Sequence, residues 1–361
     1  MIPVLRPTID QQTKEDLLKT LDSGWWGNGP KTAEFEKRFA EKVGSQYALA
    51  TSSGTAALDL CLKAHGIRGG ELITTPMTFA ADAAVGEWNG MEVTFADIEE
   101  ESLCLDPAAV EITPETRAII VVNSHGRLAN VKALREKFDG LIVEDNAHAM
   151  FTPGVCQHSD IAMWSFHAVK NLPVGDGGMV TTDDEEIYHR LKSLSWFGIK
   201  TNSYERTTSK KYNWDYDIET GDGIKGYMND VTATIALGQL RRIEELNAHR
   251  RAIQSKYNEA FREIPQITLP AYSHTVQYYT MRCPDRDALG DYLAGKEIAT
   301  SLHYKPLSEM SYWKKCVKRP LPVTDRVWRE LISLPVHGAL TWEQVDLIIN
   351  SVREFFTGKA G

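Results

Sequence analysis

The 361-residue sequence is poor in cysteine, with five: Cys61, Cys104, Cys156, Cys283 and Cys316. Their number is odd and no two stand in CxxC spacing. That excludes a disulfide framework and a cysteine-type metal site, and it reads as reduced thiols in a cytoplasmic compartment. No apolar run approaches the ~20 residues of a membrane span. The opening MIPVLRPTIDQQTKEDLL turns polar too soon for a secretory signal. Low-complexity tracts and repeats of solenoid period are absent. Basic residues are outnumbered: 40 Lys and Arg against 49 Asp and Glu leave a net charge of −9. That balance argues against nucleic acid as a partner, although a local pocket can still take an anion. No G-x-G-x-x-G follows the first predicted strand, which disfavours a dinucleotide-binding dehydrogenase.

What the sequence does contain is an alternation of short β-branched runs and helical stretches. YALAT (47–51), ELITT (71–75), EVTF (92–95), AIIVVN (118–123), LIVE (141–144), 161–166 and GMVTT (178–182) read as strands. Between them, 13–21, 31–43, 55–65, 78–89 and 130–137 read as helices. This pattern predicts an α/β fold with a mostly parallel, mixed sheet covered on both faces. Residues 201–226 are polar and aromatic and read as a long functional loop. A long helix is predicted over 229–261 and a terminal amphipathic helix over 342–356. The expected organisation is a large domain over 1–240 and a smaller C-terminal α+β domain over 241–361.

Three segments carry chemistry. Ser53-Gly54-Thr55 lies between a strand and a helix, where free N–H groups and the positive dipole end seat a phosphate; the same residues also suit a plain N-cap. LIVEDNAH (141–148) ends a buried strand in carboxylates at the sheet edge where α/β proteins bind ligands. Asp145 there fits a protonated ring nitrogen, a metal, or a helix cap. IAMWSFHAVKNLPVGDGGMV (161–180) ends a strand at Ser165 and places Lys170 in a glycine-rich turn. A lysine there is either a solvated charge or, if removed from water, an amine nucleophile able to form a Schiff base. Phosphate seat, strand-end aspartate and loop lysine, in that order, are the three groups a pyridoxal 5'-phosphate (PLP) site needs.

SSGTAAL, P-x-T-F (Pro76–Phe79), EDNAHA and SFHAVKN with GDGG together resemble the DegT/DnrJ/StrS group of sugar-nucleotide aminotransferases, PLP enzymes of fold type I. The resemblance extends to the GW-x-x-x-GP start (Gly24–Pro30), to YMNDVTATIALGQL and to H-Y-x-P-L (His303–Leu307). It implies that Lys170 holds the cofactor as a Schiff base and shuttles protons. It further implies that Asp145 pairs with the pyridine nitrogen, with His148 on the cofactor's 3-oxygen. Gly54, Thr55 and Ser165 would hold the phosphate, and Phe79 would stack on the ring. Asn229 would reach the cofactor of a neighbouring subunit, hence a homodimer with shared active sites. Lys210, Lys211 and Lys225 are candidates for a nucleotide diphosphate, and His303 and Tyr304 for the sugar. Phe79 also suits a core position, His148 an interior histidine, and Asn229 a helix cap.

The sequence departs from the group at KGYMND, where relatives usually read N-Y-R-M, and at SHGRLANV after the 118–123 strand. The expected activity is transfer of an amino group from L-glutamate to a nucleotide-linked keto sugar, 4-keto-6-deoxy before 3-keto. A cyclitol aminotransferase and a non-catalytic regulatory relative are the alternatives. Asp145, His148 and Lys170 together disfavour the second, because a scaffold needs none of them.

Overall fold

The computed structural model describes residues 1–200, 203–208 and 216–358. Nine strands are described: β1 (Tyr47–Thr51), β2 (Glu71–Thr74), β3 (Glu92–Phe95), β4 (Thr116–Val122), β5 (Leu141–Asp145), β6 (Ile161–Ser165), β7 (Gly178–Thr182), β8 (Tyr279–Arg282) and β9 (Leu331–Leu334). The first seven form one sheet in the order β1-β7-β6-β5-β4-β2-β3. Neighbours from β6 through to β3 run parallel. β7 is antiparallel to both β6 and β1. Two reversals therefore return β1 to the direction of β6, and the C-terminal ends of β1, β2, β4, β5 and β6 all open on one edge.

Helices α1 (Gln11–Asp22) and α2 (Pro30–Val43) precede β1, and α3 (Gly54–Ala64) and α4 (Ala81–Trp88) flank β2. α5 (Val131–Arg135) precedes β5. α6 (Glu185–Leu194), α7 (Ser203–Thr208) and α8 (Asp230–Phe261) follow β7, and α9 (Arg286–Gly295), α10 (Pro322–Val327) and α11 (Trp342–Gly358) complete the chain. Side chains alternate along each strand, so the sheet feeds two cores. Ala118 and Ile120 of β4, Leu141 and Val143 of β5, and Val180 of β7 pack with α3 and α4. Ile119, Val121 and Ile142 face the other way, toward α5, and Ala48, Ala50, Trp164 and Met179 meet α2 and the start of α8. Both faces are dry, which is why the strands read as continuous apolar runs.

The 201–226 segment is not wholly a loop: it contains α7. Lys210 and Lys211 lie outside the described residues. Asp230, at the first turn of α8, accepts from the backbone N–H groups of Lys31 and Thr32 at 3.1 and 2.9 Å and from the Thr32 hydroxyl. One buried carboxylate thus clamps the start of α2 onto α8. A division near residue 240 would fall inside α8. The beginning of that helix packs on the large sheet, whereas Ile253, Tyr257 and Phe261 join β8, β9, α9 and α11 in a separate cluster.

Candidate active site

Five strand ends, those of β1, β2, β4, β5 and β6, build the site. Ser53 caps α3, its hydroxyl accepting from the Ala56 N–H at 3.1 Å. A helix start offers four N–H groups without partners inside the helix, and this cap takes one of them. Gly54 lies against Ser165 at the end of β6. A Cβ on Gly54 would come within 3.0 Å of the Ser165 Cβ and 3.2 Å of its Oγ. Glycine therefore keeps open a cradle with a helix N-terminus on one side and a hydroxyl on the other, a fit for a phosphate.

Asp145 ends β5 and is 6% exposed. Its Oδ1 accepts from the Ala147 N–H at 2.7 Å. Burial pushes its carboxyl above the ordinary range, and the Ala147 N–H, the charge of Lys170 and a hydrogen bond from Asp82 pull it back. Lys170 is half-buried in the turn after β6, its backbone N–H bonded to the His167 carbonyl at 2.8 Å. Its positive charge acts on Asp82, Asp145, His125, His148 and His303 alike. The lysine and the aspartate that the sequence separates by 25 positions thus share one site.

His148 is buried in an aromatic box. Its Nε2 meets the Tyr304 hydroxyl at 3.1 Å and its Nδ1 accepts from the His125 N–H at 3.5 Å. The Tyr304 ring lies nearly parallel to it, and Tyr278 stands edge-on at 5.2 Å. Burial first, then the charge of Lys170, hold His148 well below the usual imidazole range, so the ring is neutral. With Nδ1 accepting, the proton sits on Nε2. His303 stacks on Tyr278 at 3.6 Å and bonds the Ser333 hydroxyl through Nδ1. Burial and Lys170 hold its pKa at about 3. The two residues read as sugar contacts, His303 and Tyr304, therefore stand beside His148.

Phe79 is 66% exposed, so it is not a core aromatic. It sits in the loop after β2, at the same sheet edge. Asn229 is exposed and caps α8, its Oδ1 accepting from the Thr232 N–H at 2.9 Å. Lys225 stands over the Trp196 ring. A recess of about 660 Å³ nearby is lined by Trp25, Trp196, Tyr204, Tyr227 and Glu36, and Lys170 and Asp145 take no part in it.

Three residues that the motifs passed over also belong here: Asp82, His125 and Tyr278. His125, just past β4, has a positive φ of 57°, and its Nε2 donates to the His303 carbonyl, 3.0 Å away. An acidic residue inside the apolar run FAADAAV was the available signal for Asp82.

Comparison with known proteins gives the family. Residues 7–353 match the DegT/DnrJ/EryC1/StrS aminotransferase family. The chain belongs to that family. It is a PLP-dependent sugar aminotransferase by that membership. It is 32% identical to the spore coat polysaccharide biosynthesis protein SpsC of Bacillus subtilis, over 99% of this chain and 97% of that protein. Its fold superposes on the aminotransferase TlmJ of Streptoalloteichus hindustanus with a TM-score of 0.91, at 27% identity and full coverage of both chains. The PLP form of the sugar aminotransferase Spr1654 of Streptococcus pneumoniae gives 0.88 at 29% identity, over 99% and 98% of the two chains. Among the described residues no helix is long and apolar enough to cross a membrane, and no cluster of side chains could hold a metal.

Proposed function

We propose that the enzyme moves an amino group from L-glutamate to the keto group of a nucleotide-linked sugar, a 4-keto-6-deoxy sugar first, with Lys170, Asp145 and His148 at the reacting end. The convergence of these three side chains beside the Gly54 cradle carries this proposal. PLP, when bound, supplies an aldehyde for the incoming amine and a ring that withdraws electrons. The N–H groups at Gly54 and Thr55 and the Ser165 hydroxyl bind the phosphate. Asp145 holds a proton on the ring nitrogen by its negative charge. His148 and Tyr304 act as a bonded pair toward the ring oxygen, with His148 neutral and fixed in orientation. Lys170 offers a primary amine and, once free, moves a proton at the substrate carbon. Phe79 would stack on the ring. His303 and Tyr304 reach toward the sugar, and Lys225 toward the diphosphate.

The test is a panel of keto-sugar nucleotides supplied with L-glutamate, followed by release of 2-oxoglutarate. Turnover is expected with the 4-keto-6-deoxy member. Turnover confined to 3-keto sugars or to cyclitols would replace that substrate while keeping the chemistry.

The proposal includes a homodimer in which Asn229 faces the cofactor phosphate of the partner subunit, and a large body over 1–240 with a smaller one over 241–361. The exposed Phe79 and Asn229 support shared sites, since both stand open on a single chain. Asn229→Asp separates the two roles of this residue. Aspartate caps a helix as well as asparagine does, but its charge would repel a phosphate. PLP affinity is expected to fall about fivefold or more, because a charge opposing a charge at short range is worth upwards of about 1 kcal/mol. Unchanged affinity in titrations of the apoenzyme would leave Asn229 as a cap alone, and a monomeric mass by light scattering would end the shared-site proposal.

A further inference from the structure

The carboxyl of Asp82 lies in the second position of α4, 1% exposed. Its Oδ2 accepts from the Thr78 hydroxyl at 2.6 Å. Its Oδ1 is fully buried and has no ordinary donor. The group it does meet is another acid, because the Asp82 and Asp145 side chains are in hydrogen-bond contact. Two carboxylates cannot make such a contact, since neither has a proton to give. One proton placed on Asp82 Oδ1 satisfies both groups: Asp82 then donates to Asp145 and still accepts from Thr78.

We infer that Asp82 is a positioning residue that stays protonated and donates a hydrogen bond to Asp145, keeping Asp145 ionised and aimed at the cofactor ring nitrogen. The inference rests on the assignment of Asp145 to that nitrogen. The proton belongs on Asp82 for physical reasons. Burial and the neighbouring charge of Asp145 push the Asp82 carboxyl well above the ordinary range. Asp145 rises less, because it takes the Ala147 N–H, the donor from Asp82 and the field of Lys170. The start of α4 favours a negative charge on Asp82, yet a helix end acts weakly beside a second buried carboxylate. Among the described residues, Lys170, the Tyr304 hydroxyl and the Cys61 thiol are the titratable groups that act on this pair, and of these only Lys170 favours ionisation.

The consequence concerns where a proton rests. Between a carboxylate and a pyridine nitrogen, the proton goes to the stronger base. A donor to Asp145 weakens it as a base and leaves the proton on the ring. Without that donor, Asp145 grows more basic and competes for it, and a neutral ring withdraws electrons poorly.

The experiment compares wild type, Asp82→Asn and Asp82→Leu as holoenzymes carrying PLP labelled with ¹⁵N in the ring. Asparagine keeps both bonds, its amide N–H toward Asp145 and its oxygen toward Thr78. Leucine matches the size and keeps neither. Infrared difference spectra of wild type minus Asp82→Asn should show one protonated-carboxyl stretch that the variant lacks. The ¹⁵N shift should show a protonated ring in wild type and Asp82→Asn over the same pH range, with turnover within about threefold. In Asp82→Leu the proton should move from the ring toward Asp145, so the ¹⁵N shift should lie closer to that of a neutral pyridine across the pH range, and turnover should fall about tenfold, the loss of one hydrogen bond to a charged group. Absence of the carboxyl band would overturn the inference, and so would a lower-pH ring deprotonation in Asp82→Asn, because both mark an ionised Asp82. An unshifted ring nitrogen in folded Asp82→Leu would also overturn it. The infrared comparison stands even where the leucine variant does not fold. A ring nitrogen that is unprotonated in wild type would instead defeat the underlying assignment of Asp145.

Discussion

Lys170→Ala is expected to fold, to take up PLP without the visible absorbance of a lysine-bound cofactor, and to lose turnover by about 10⁴-fold. The backbone of the turn does not depend on the side chain, since the Lys170 N–H bonds the His167 carbonyl in either case. The chemistry does depend on it, because no other lysine is described against Asp145. Charge and amine are separable. Lys170→Arg keeps the positive field that acts on Asp82, Asp145, His125, His148 and His303, but offers no deprotonated amine at working pH. It should be as inactive as alanine. Activity in the arginine variant near that of wild type, measured by 2-oxoglutarate release, would reduce Lys170 to a counter-charge and overturn the site as drawn.

The strands of the large sheet were legible because each is buried on both faces. YALAT, ELIT and EVTF read as apolar runs between turn residues, and their ends differ from the reading by a residue at most. The helix over 185–194 carries no such advertisement: EEIYHRLKSL is mostly polar, and only Leu191, Ser193 and Leu194 are buried. The helix at 203–208 sits in a polar stretch whose composition suggests a loop.

Within the site, legibility followed chain proximity. Asp145, His148, Ser165 and Lys170 lie at the ends of two sequential strands, and their spacing alone suggested a shared edge. Asp82, His125 and Tyr278 belong to the same site for another reason. The order β6-β5-β4-β2 sets the loops after β2 and β4 beside β5, and the segment leading into β8 then closes on them. Strand order is a three-dimensional fact that periodicity does not carry. An aspartate in the first turn of α4 can play either of two roles that only contact decides: a charge at a helix start, or a proton donor inside a protein. Its meeting with Asp145 separates them, because burial makes a lone pair of carboxylates costly and a shared proton cheap.

Asp145→Asn is expected to bind PLP and to lose turnover by roughly 10²- to 10³-fold, the range for removing one preorganised electrostatic partner from a dry site. The geometry should survive, since an amide oxygen still accepts the Ala147 N–H that Asp145 Oδ1 now takes at 2.7 Å. What is lost is the negative charge, and with it the reason for a proton to rest on the ring nitrogen. The loss should appear in the half-reaction with L-glutamate, read as exchange of the α-hydrogen into deuterated water, before any sugar is added. An exchange rate equal to wild type would show that Asp145 does no more than end its strand. The partnership with Asp82 makes a second demand. Asp82→Leu acts only by making Asp145 a stronger base, so it has nothing to act on once position 145 is an amide. The double variant should therefore exchange no more slowly than Asp145→Asn alone, whereas two independent roles would multiply their losses. A further tenfold drop in the double variant, with its fold confirmed by circular dichroism, would mean that Asp82 reaches the reaction by a route other than Asp145.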